Sequence, residues 1–496
     1  MQFAIPDVAG KHTLKASAQA LGPGCEPATL SRRCNPGETE MKPPETVNTS
    51  PLNLRYVLLI SLVAALGGFL FGYDTAVVSG AIGFLTKHFQ LSAELSGWAA
   101  SSMLVGCMFG ALLGGPTGDR FGRRPSLIAC ATLFALSSVL SALPDSLALF
   151  AWSRFAGGLA IGAASILSPV YIAEIAPEKI RGRLVALYQL AIVTGILVVF
   201  FVNLQIQRLG DEAWNTHTGW RWMFASLVIP SVLFGGLLLL VPESPRWLLK
   251  LNRRAEAQVI LERIGGADAA RRELAAIEGT LREEQGRWSE LLRPGCRRAL
   301  LLGVLLAVFQ QFSGINAIMY YAPEIFKAAG ASTDTAFRQT VTVGAINLLF
   351  TFVAIGFVDR VGRKPLLIIG TTVQMLALGL VGFAFATGHQ GALLQIGILA
   401  FVAAFAMAMG PVAWIVNSEI FPNKLRGRAM AVAILMLWLA CYAVSQTFPM
   451  LIERLGPART FWIYAGCSLL STVFVIALVP ETKGRTLEEI EASWKK

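Results

Sequence analysis

Twelve apolar stretches set what this chain can become. They run at 54–85, 95–116, 126–143, 147–173, 183–206, 219–241, 299–326, 338–358, 365–387, 392–418, 428–452 and 460–479. A helical bilayer crossing needs about 20 predominantly apolar residues. None of the stretches alternates over about ten residues as a barrel strand does. Only 15% of the residues are charged, against about 25% in soluble proteins. The sequence therefore predicts an all-α protein with twelve transmembrane helices in a lipid bilayer.

The net charge of +11 is informative through its placement. Alternate loops carry Arg120, Arg123 and Arg124; Lys179, Arg181 and Arg183; Arg360, Arg363 and Lys364; Lys424, Arg426 and Arg428. The intervening loops are poor in lysine and arginine. The positive-inside rule makes the basic loops cytoplasmic and, with twelve spans, places both termini inside. The orientation rule accounts for the arginines, so no nucleic-acid partner is needed. The seven cysteines lack zinc-ligand spacing, and four lie in apolar spans. Neither a disulfide nor a metal site is expected.

The chain is written twice. DRFGRRPSLI (119–128) matches DRVGRKPLLI (359–368), EIAPEKIRGR (174–183) matches EIFPNKLRGR (419–428), and PESPR (242–246) matches PETKG (480–484). The copies keep the same order. Six spans is an even number, so the halves are parallel repeats about an axis along the membrane normal, with a substrate site between them. The expected organisation is a disordered cytoplasmic tail (1–50), a first six-helix half (51–243), a linker with short cytoplasmic helices (244–298), a second half (299–480) and a short tail (481–496). Met41 is a plausible alternative start, and the sequon Asn48–Thr49–Ser50 would be silent on that side.

The repeated motifs set acids beside arginines, which the positive-inside rule does not require. Asp119, Arg120, Arg124, Glu174, Arg181, Glu243 and Arg246 form one expected cytoplasmic latch cluster. Asp359, Arg360, Arg363, Glu419, Arg426 and Glu481 form the other. Within them Glu174 is expected to pair with Arg181, and Glu419 with Arg426. The latch would close when the site faces outward and break when it faces inward. The bland alternative is topology-setting arginines with incidental acids.

Few polar side chains interrupt the spans, and the informative ones are amides: Gln189, Gln310, Gln311, Asn316 and Asn347. An amide both donates and accepts without carrying charge, which suits a neutral polyhydroxyl ligand. Asn316 and Tyr320 share a helix face. Ser313–Gly314 predicts a local helix break, as transporters use at binding sites. Phe71, Trp414 and Trp438 offer aromatic surface for a sugar ring. The alternative is ordinary hydrogen bonding between helices, at about 0.6 kcal/mol each.

Two full charges lie deep in spans, Asp74 and Arg154. Asp74 lies about 16 Å inside the outer end of its span and Arg154 about 10 Å inside its own. Charges at such depth pair and mark ion pathways. A neighbouring cation favours an ionised carboxylate, while desolvation favours the protonated one. A carrier that rocks between states can thus load and release a proton at this pair. His12, His88, His217 and His389 lie in tails, loops or span ends. A permanent structural salt bridge is the competing reading.

The chain resembles the sugar porter family of the major facilitator superfamily from about 54 to 486. The carriers are GGFLFGYDTAVVSG, DRFGRRP, YIAEIAPEKIRGR, PESPRWL, QQFSGINAIMYYAPEIF, DRVGRKP, GPVAWIVNSEIFP and PETKGRTLEEIE. Within the family they are most like the bacterial D-xylose–proton symporters. The resemblance implies sugar contacts at Gln189, Gln310, Gln311, Asn316, Asn347 and Trp414. It also implies a protonation site at Asp74 paired with Arg154. Ile196 and Leu437 stand where the xylose symporters have glutamine, which leaves xylose, glucose, galactose or another neutral monosaccharide open. The resulting expectation is a monomeric proton-coupled symporter of the inner (plasma) membrane, with protons as coupling ion and no cofactor. A passive facilitator and a polyol carrier such as one for myo-inositol remain alternatives. No nucleophile–base set or P-loop suggests an enzyme.

Overall fold

The computed structural model describes residues 52–281, 288–389, 391–422, 424–485 and 489, with the side chains of Lys179, Leu281, Trp288, Pro294 and Asp359 outside that set. The expected N-terminal tail, Met41 and the sequon at 48–50 lie outside the described residues, as does most of the segment after 485.

The first six spans are Leu54–Phe89, Ala93–Phe121, Arg123–Ala142, Leu147–Ile175, Arg181–Gln207 and Glu212–Leu238. Short helices Pro245–Lys250, Arg254–Gly265 and Ala267–Leu281 follow. The seventh span is two helices, Pro294–Phe312 and Ile315–Ala328. The eighth is Thr333–Val361 and the ninth Arg363–Thr387. The tenth is again two helices, Ala392–Met407 and Met409–Ile420. A final helical run covers Arg426–Leu478, 53 residues. At 1.5 Å per residue that is about 80 Å, far beyond a hydrocarbon core of about 30 Å. The run turns at Gly456, whose φ is 77°, with Pro457 next in the chain. Those two residues separate the eleventh span from the twelfth. No strand occurs among the described residues.

Both halves use the same local devices. Ser92 and Ser332 cap the second and eighth spans, accepting from Leu95 N (3.3 Å) and Thr335 N (3.3 Å). Each supplies an oxygen to an otherwise unpaired helix N–H. Gly122 and Gly362 turn the chain between the second and third spans and between the eighth and ninth, at φ 100° and 105°. A side chain there is strained, and its Cβ would also run into Glu243 or Glu481. Glycines bring the second and fourth spans together: a Cβ at Gly110 would meet the Leu159 Cα at 2.9 Å. Small residues allow such approach in membranes.

The halves meet through the second and eleventh spans, the fifth and eighth, and the first span with Ile315–Ala328. Polar ties between them cluster at the end opposite the basic loops. There Ser101 Oγ donates to Gln446 Oε1 (2.8 Å), and Gln446 Nε2 donates to the Glu94 carbonyl (2.9 Å). Arg454 reaches Glu94 (3.3 Å) and Arg208 reaches Asp334 (2.6 Å). The fold is closed across its halves at this far end.

Candidate functional site

At the basic end each half builds the same charged joint. Arg123 grips Glu174 through Nε (2.9 Å) and Nη2 (3.0 Å). Arg363 Nη2 donates to Glu419 (3.0 Å). Ser244 and Thr482 complete the pattern, donating to Glu174 (2.6 Å) and Glu419 (2.5 Å). Glu243 accepts from the backbone N–H of Arg123 (3.0 Å), Arg124 and Ser244 (2.7 Å). Glu481 does the same for Arg363 (3.1 Å), Lys364 (3.1 Å) and Lys483 (2.8 Å). Each carboxylate thereby caps the N-terminus of the third or ninth span, where negative charge is favoured. Burial dominates at Glu243 and raises its pKa against its three backbone donors. At Glu481 burial also pushes upward, but the backbone donors outweigh it and the pKa falls.

Two expected pairings differ. Glu174 is taken by Arg123 and Ser244, while Arg181 reaches Glu273 of the linker at 3.3 Å. Glu419 is taken by Arg363 and Thr482. The reason is geometric: Arg123 sits at the start of the third span, facing the end of the fourth, whereas Arg181 begins the fifth. Asp119 binds Arg123 (3.0 Å) and Lys250 (3.3 Å). Arg124 donates to the carbonyls of Leu238 (2.9 Å) and Leu239 (2.7 Å). Arg120 stacks over Phe121, Arg246 is exposed, and the exposed Arg360 offers its carbonyl to Lys483. Asp359 has its side chain outside the described residues.

The centre holds the amides. The seventh span breaks at Gly314, in the left-handed region at φ 86°, as the Ser–Gly pair predicts. The tenth breaks at Ala408 (φ −122°, ψ −81°). A chain of hydrogen bonds joins the breaks. Asn316 donates to Gln311, Gln311 Nε2 to Gln310 Oε1 (3.4 Å), and Gln310 Nε2 to the Met409 carbonyl (2.6 Å). Asn316 also contacts Cys441 Sγ at 3.1 Å. Tyr320, Asn347 and Trp438 are buried, while Gln189 and Trp414 are half-buried. Phe71 meets Trp438 across the halves, ring centroids 5.6 Å apart. The Trp438 Nε1 is buried without a hydrogen-bond partner, a donor available to a ligand.

Asp74 and Arg154 form an ion pair, with side chains 0% and 2% exposed. Removing either partner of such a pair strands a buried charge. Arg154 Nη1 donates to Asp74 Oδ1, while Nη2 donates to the Asp74 backbone carbonyl (2.9 Å) and Met103 Sδ (2.7 Å). Phe224 of the sixth span faces the guanidinium, 5.1 Å from its ring centroid. The second carboxylate oxygen, Oδ2, is buried and has no hydrogen-bond partner. A Cβ on Gly157 would lie 3.1 Å from Oδ2 and 2.5 Å from Ser137 Oγ. Sequence reasoning missed Arg123, Met103, Phe224 and Gly157. Arg123 alone left a signal, since it aligns with Arg363 in the second repeat.

Two parallel six-span halves, a polar centre at paired helix breaks and one deep ion pair define a membrane carrier of the alternating-access type. The chain belongs to the Sugar (and other) transporter family, which it matches over residues 60–494. It is 46% identical over 460 residues to the arabinose-proton symporter of Bacillus subtilis (strain 168), covering 92% of this chain and 99% of that one. It is 45% identical over 475 residues to the D-xylose-proton symporter of Escherichia coli (strain K12), covering 89% and 96%. The galactose-proton symporter of the same organism is 38% identical over 460 residues, covering 91% and 97%. Among solved structures, the partially occluded inward open conformation of the E. coli xylose transporter superposes with a TM-score of 0.80 at 43% identity, covering 87% of this chain and all of that one. The same transporter bound to 6-bromo-6-deoxy-D-glucose gives 0.74 at 44% identity, covering 89% and 99%.

Proposed function

We propose that this protein carries a neutral monosaccharide into the cell together with a proton, by alternating access, and catalyses no covalent chemistry. The observation that carries the reading is the buried Asp74–Arg154 pair with its unpartnered Oδ2. A passive carrier of neutral sugars has no need of a carboxylate in that position. In this reading the proton lands on Oδ2. The basic loops face the cytoplasm, both termini are inside, and the protein works as a monomer in the inner (plasma) membrane. The far-end ties between the halves make the present state inward-facing. The joints at the basic end act first as braces within each half, and engage across the halves when the site faces outward.

The sugar is proposed to enter between the amides and the aromatic pair Phe71–Trp438, replacing amide–amide hydrogen bonds with amide–hydroxyl ones. The relatives named for arabinose, xylose and galactose support the class of substrate. With a proton on Asp74, the membrane potential adds about 2.3 kcal/mol per 100 mV per charge to the driving force. The test uses proteoliposomes loaded with a pH dye and given neutral sugars in turn. A sugar should acidify the lumen with wild type and not with Asp74→Asn, while the variant still exchanges that sugar. Uptake of labelled sugar by wild type without proton movement would make the protein a facilitator and Asp74 structural.

A further inference from the structure

When Asp74 takes the proton proposed above, Arg154 loses its ion-pair partner among the described residues while its side chain stays buried, 2% exposed. A buried cation in that position is costly unless other groups hold it. The structure supplies three that do not depend on the charge of Asp74. The backbone carbonyl of residue 74 accepts from Nη2 at 2.9 Å, and Met103 Sδ receives the same nitrogen at 2.7 Å. The face of Phe224 lies 5.1 Å from the guanidinium carbon. An aromatic face attracts a cation most strongly where water is excluded. A thioether is a weak acceptor, but here it is polarisable and in contact.

Resting on the symport reading, we propose that Met103 and Phe224 are positioning residues for the proton step: they keep Arg154 seated while Asp74 is neutral. In the ionised state the carboxylate holds the guanidinium whether or not the neutral contacts exist. In the protonated state Oδ1 still accepts from Nη1 but the charge attraction is gone, so the neutral contacts carry a larger share of the hold. Removing one therefore harms the protonated state more, and protonation then requires a lower pH. The titratable groups that sense the pair among the described residues include Cys107 on the second span and Tyr320 on the seventh. At their ordinary values neither is charged at neutral pH. Phe224 presents no ionisable group from the sixth span, and Ser137 beside Oδ2 is likewise neutral.

The test needs no sugar. Infrared difference spectra of the full-length protein in lipid would follow the carbonyl band of protonated Asp74 against pH, assigned by its loss in Asp74→Asn. Met103→Leu keeps the volume, so folding is retained; Phe224→Leu removes the ring; Phe224→Tyr keeps it. The expected result is a midpoint about one pH unit more acid in Phe224→Leu, a smaller shift in the same direction in Met103→Leu, and an unmoved midpoint in Phe224→Tyr. Should Phe224→Leu not fold, Met103→Leu decides alone. A band that titrates in wild type at the same pH as in the leucine variants overturns this proposal and leaves the symport reading standing. A wild type in which no Asp74 band titrates overturns both.

Discussion

Gln310 donates its side-chain amide to the backbone carbonyl of Met409, 2.6 Å away, and so fastens the break in the seventh span to the break in the tenth. It reaches the Gly410 carbonyl as well, at 3.3 Å. A residue expected to read a ligand thus also ties the end of the seventh span's first helix to the first turn of the tenth span's second helix. Gln310→Ala should lower the thermal stability of the sugar-free protein by about 1–2 kcal/mol, and Gln189→Ala by much less. Equal melting temperatures for the two variants would show that this tie does not hold the two spans together.

Gly157 faces the oxygen assigned to the proton. Gly157→Ala would push a methyl group to 3.1 Å from Asp74 Oδ2 and 2.5 Å from Ser137 Oγ. Proton-driven uptake should fall by about tenfold or more, since a shift of about 1.4 kcal/mol suffices. Adding Ser137→Gly should restore part of it by making room. Uptake unaffected by Gly157→Ala would show that Oδ2 has free space and needs no protection.

Gln446 ties the halves at the far end through Ser101 and the Glu94 carbonyl. Gln446→Ala should shift the population toward states open at that end. Spin labels on the second and eleventh spans near that end should report longer distances than in wild type. An unchanged distance distribution would place the closing force elsewhere, for instance in the Arg208–Asp334 pair.

The two capping glutamates should respond differently to acid. The lowered pKa of Glu481 means its contribution exists above the ordinary carboxylate value and is lost as pH falls through the lowered one. Burial raises the pKa of Glu243, so its ionised form gives no such gain and mild acid costs nothing there. Glu481→Gln should therefore destabilise the protein more than Glu243→Gln at neutral pH, and the gap should close in strong acid. Melting curves of both variants against pH check this.

The spans, the duplication and the Gly314 break were legible because each depends on local composition: apolar length, repeated motifs, a glycine where φ is positive. The Ala408 break carries a local signal too, Gly410–Pro411 just beyond it: proline has no N–H and crowds the carbonyl four residues earlier, that of Met407. Only the tie from Gln310, about a hundred residues earlier in the chain, has no mark in the local sequence. Sequence proximity points Glu174 to Arg181, whereas tertiary packing delivers Arg123. Asp74 and Arg154 stood out because charge is rare at that depth. Met103 and Phe224 could not, since an apolar side chain in an apolar span carries no mark of a cation beside it.

The caps at Glu243 and Glu481 have an architectural consequence. Each sews the exit of a half's last span to the entrance of its third, so each half is a closed loop that holds its own shape. Two polypeptides severed within the linker should therefore still assemble into one carrier, each half bringing its shape and the pairs between the second and eleventh and the fifth and eighth spans bringing the fit.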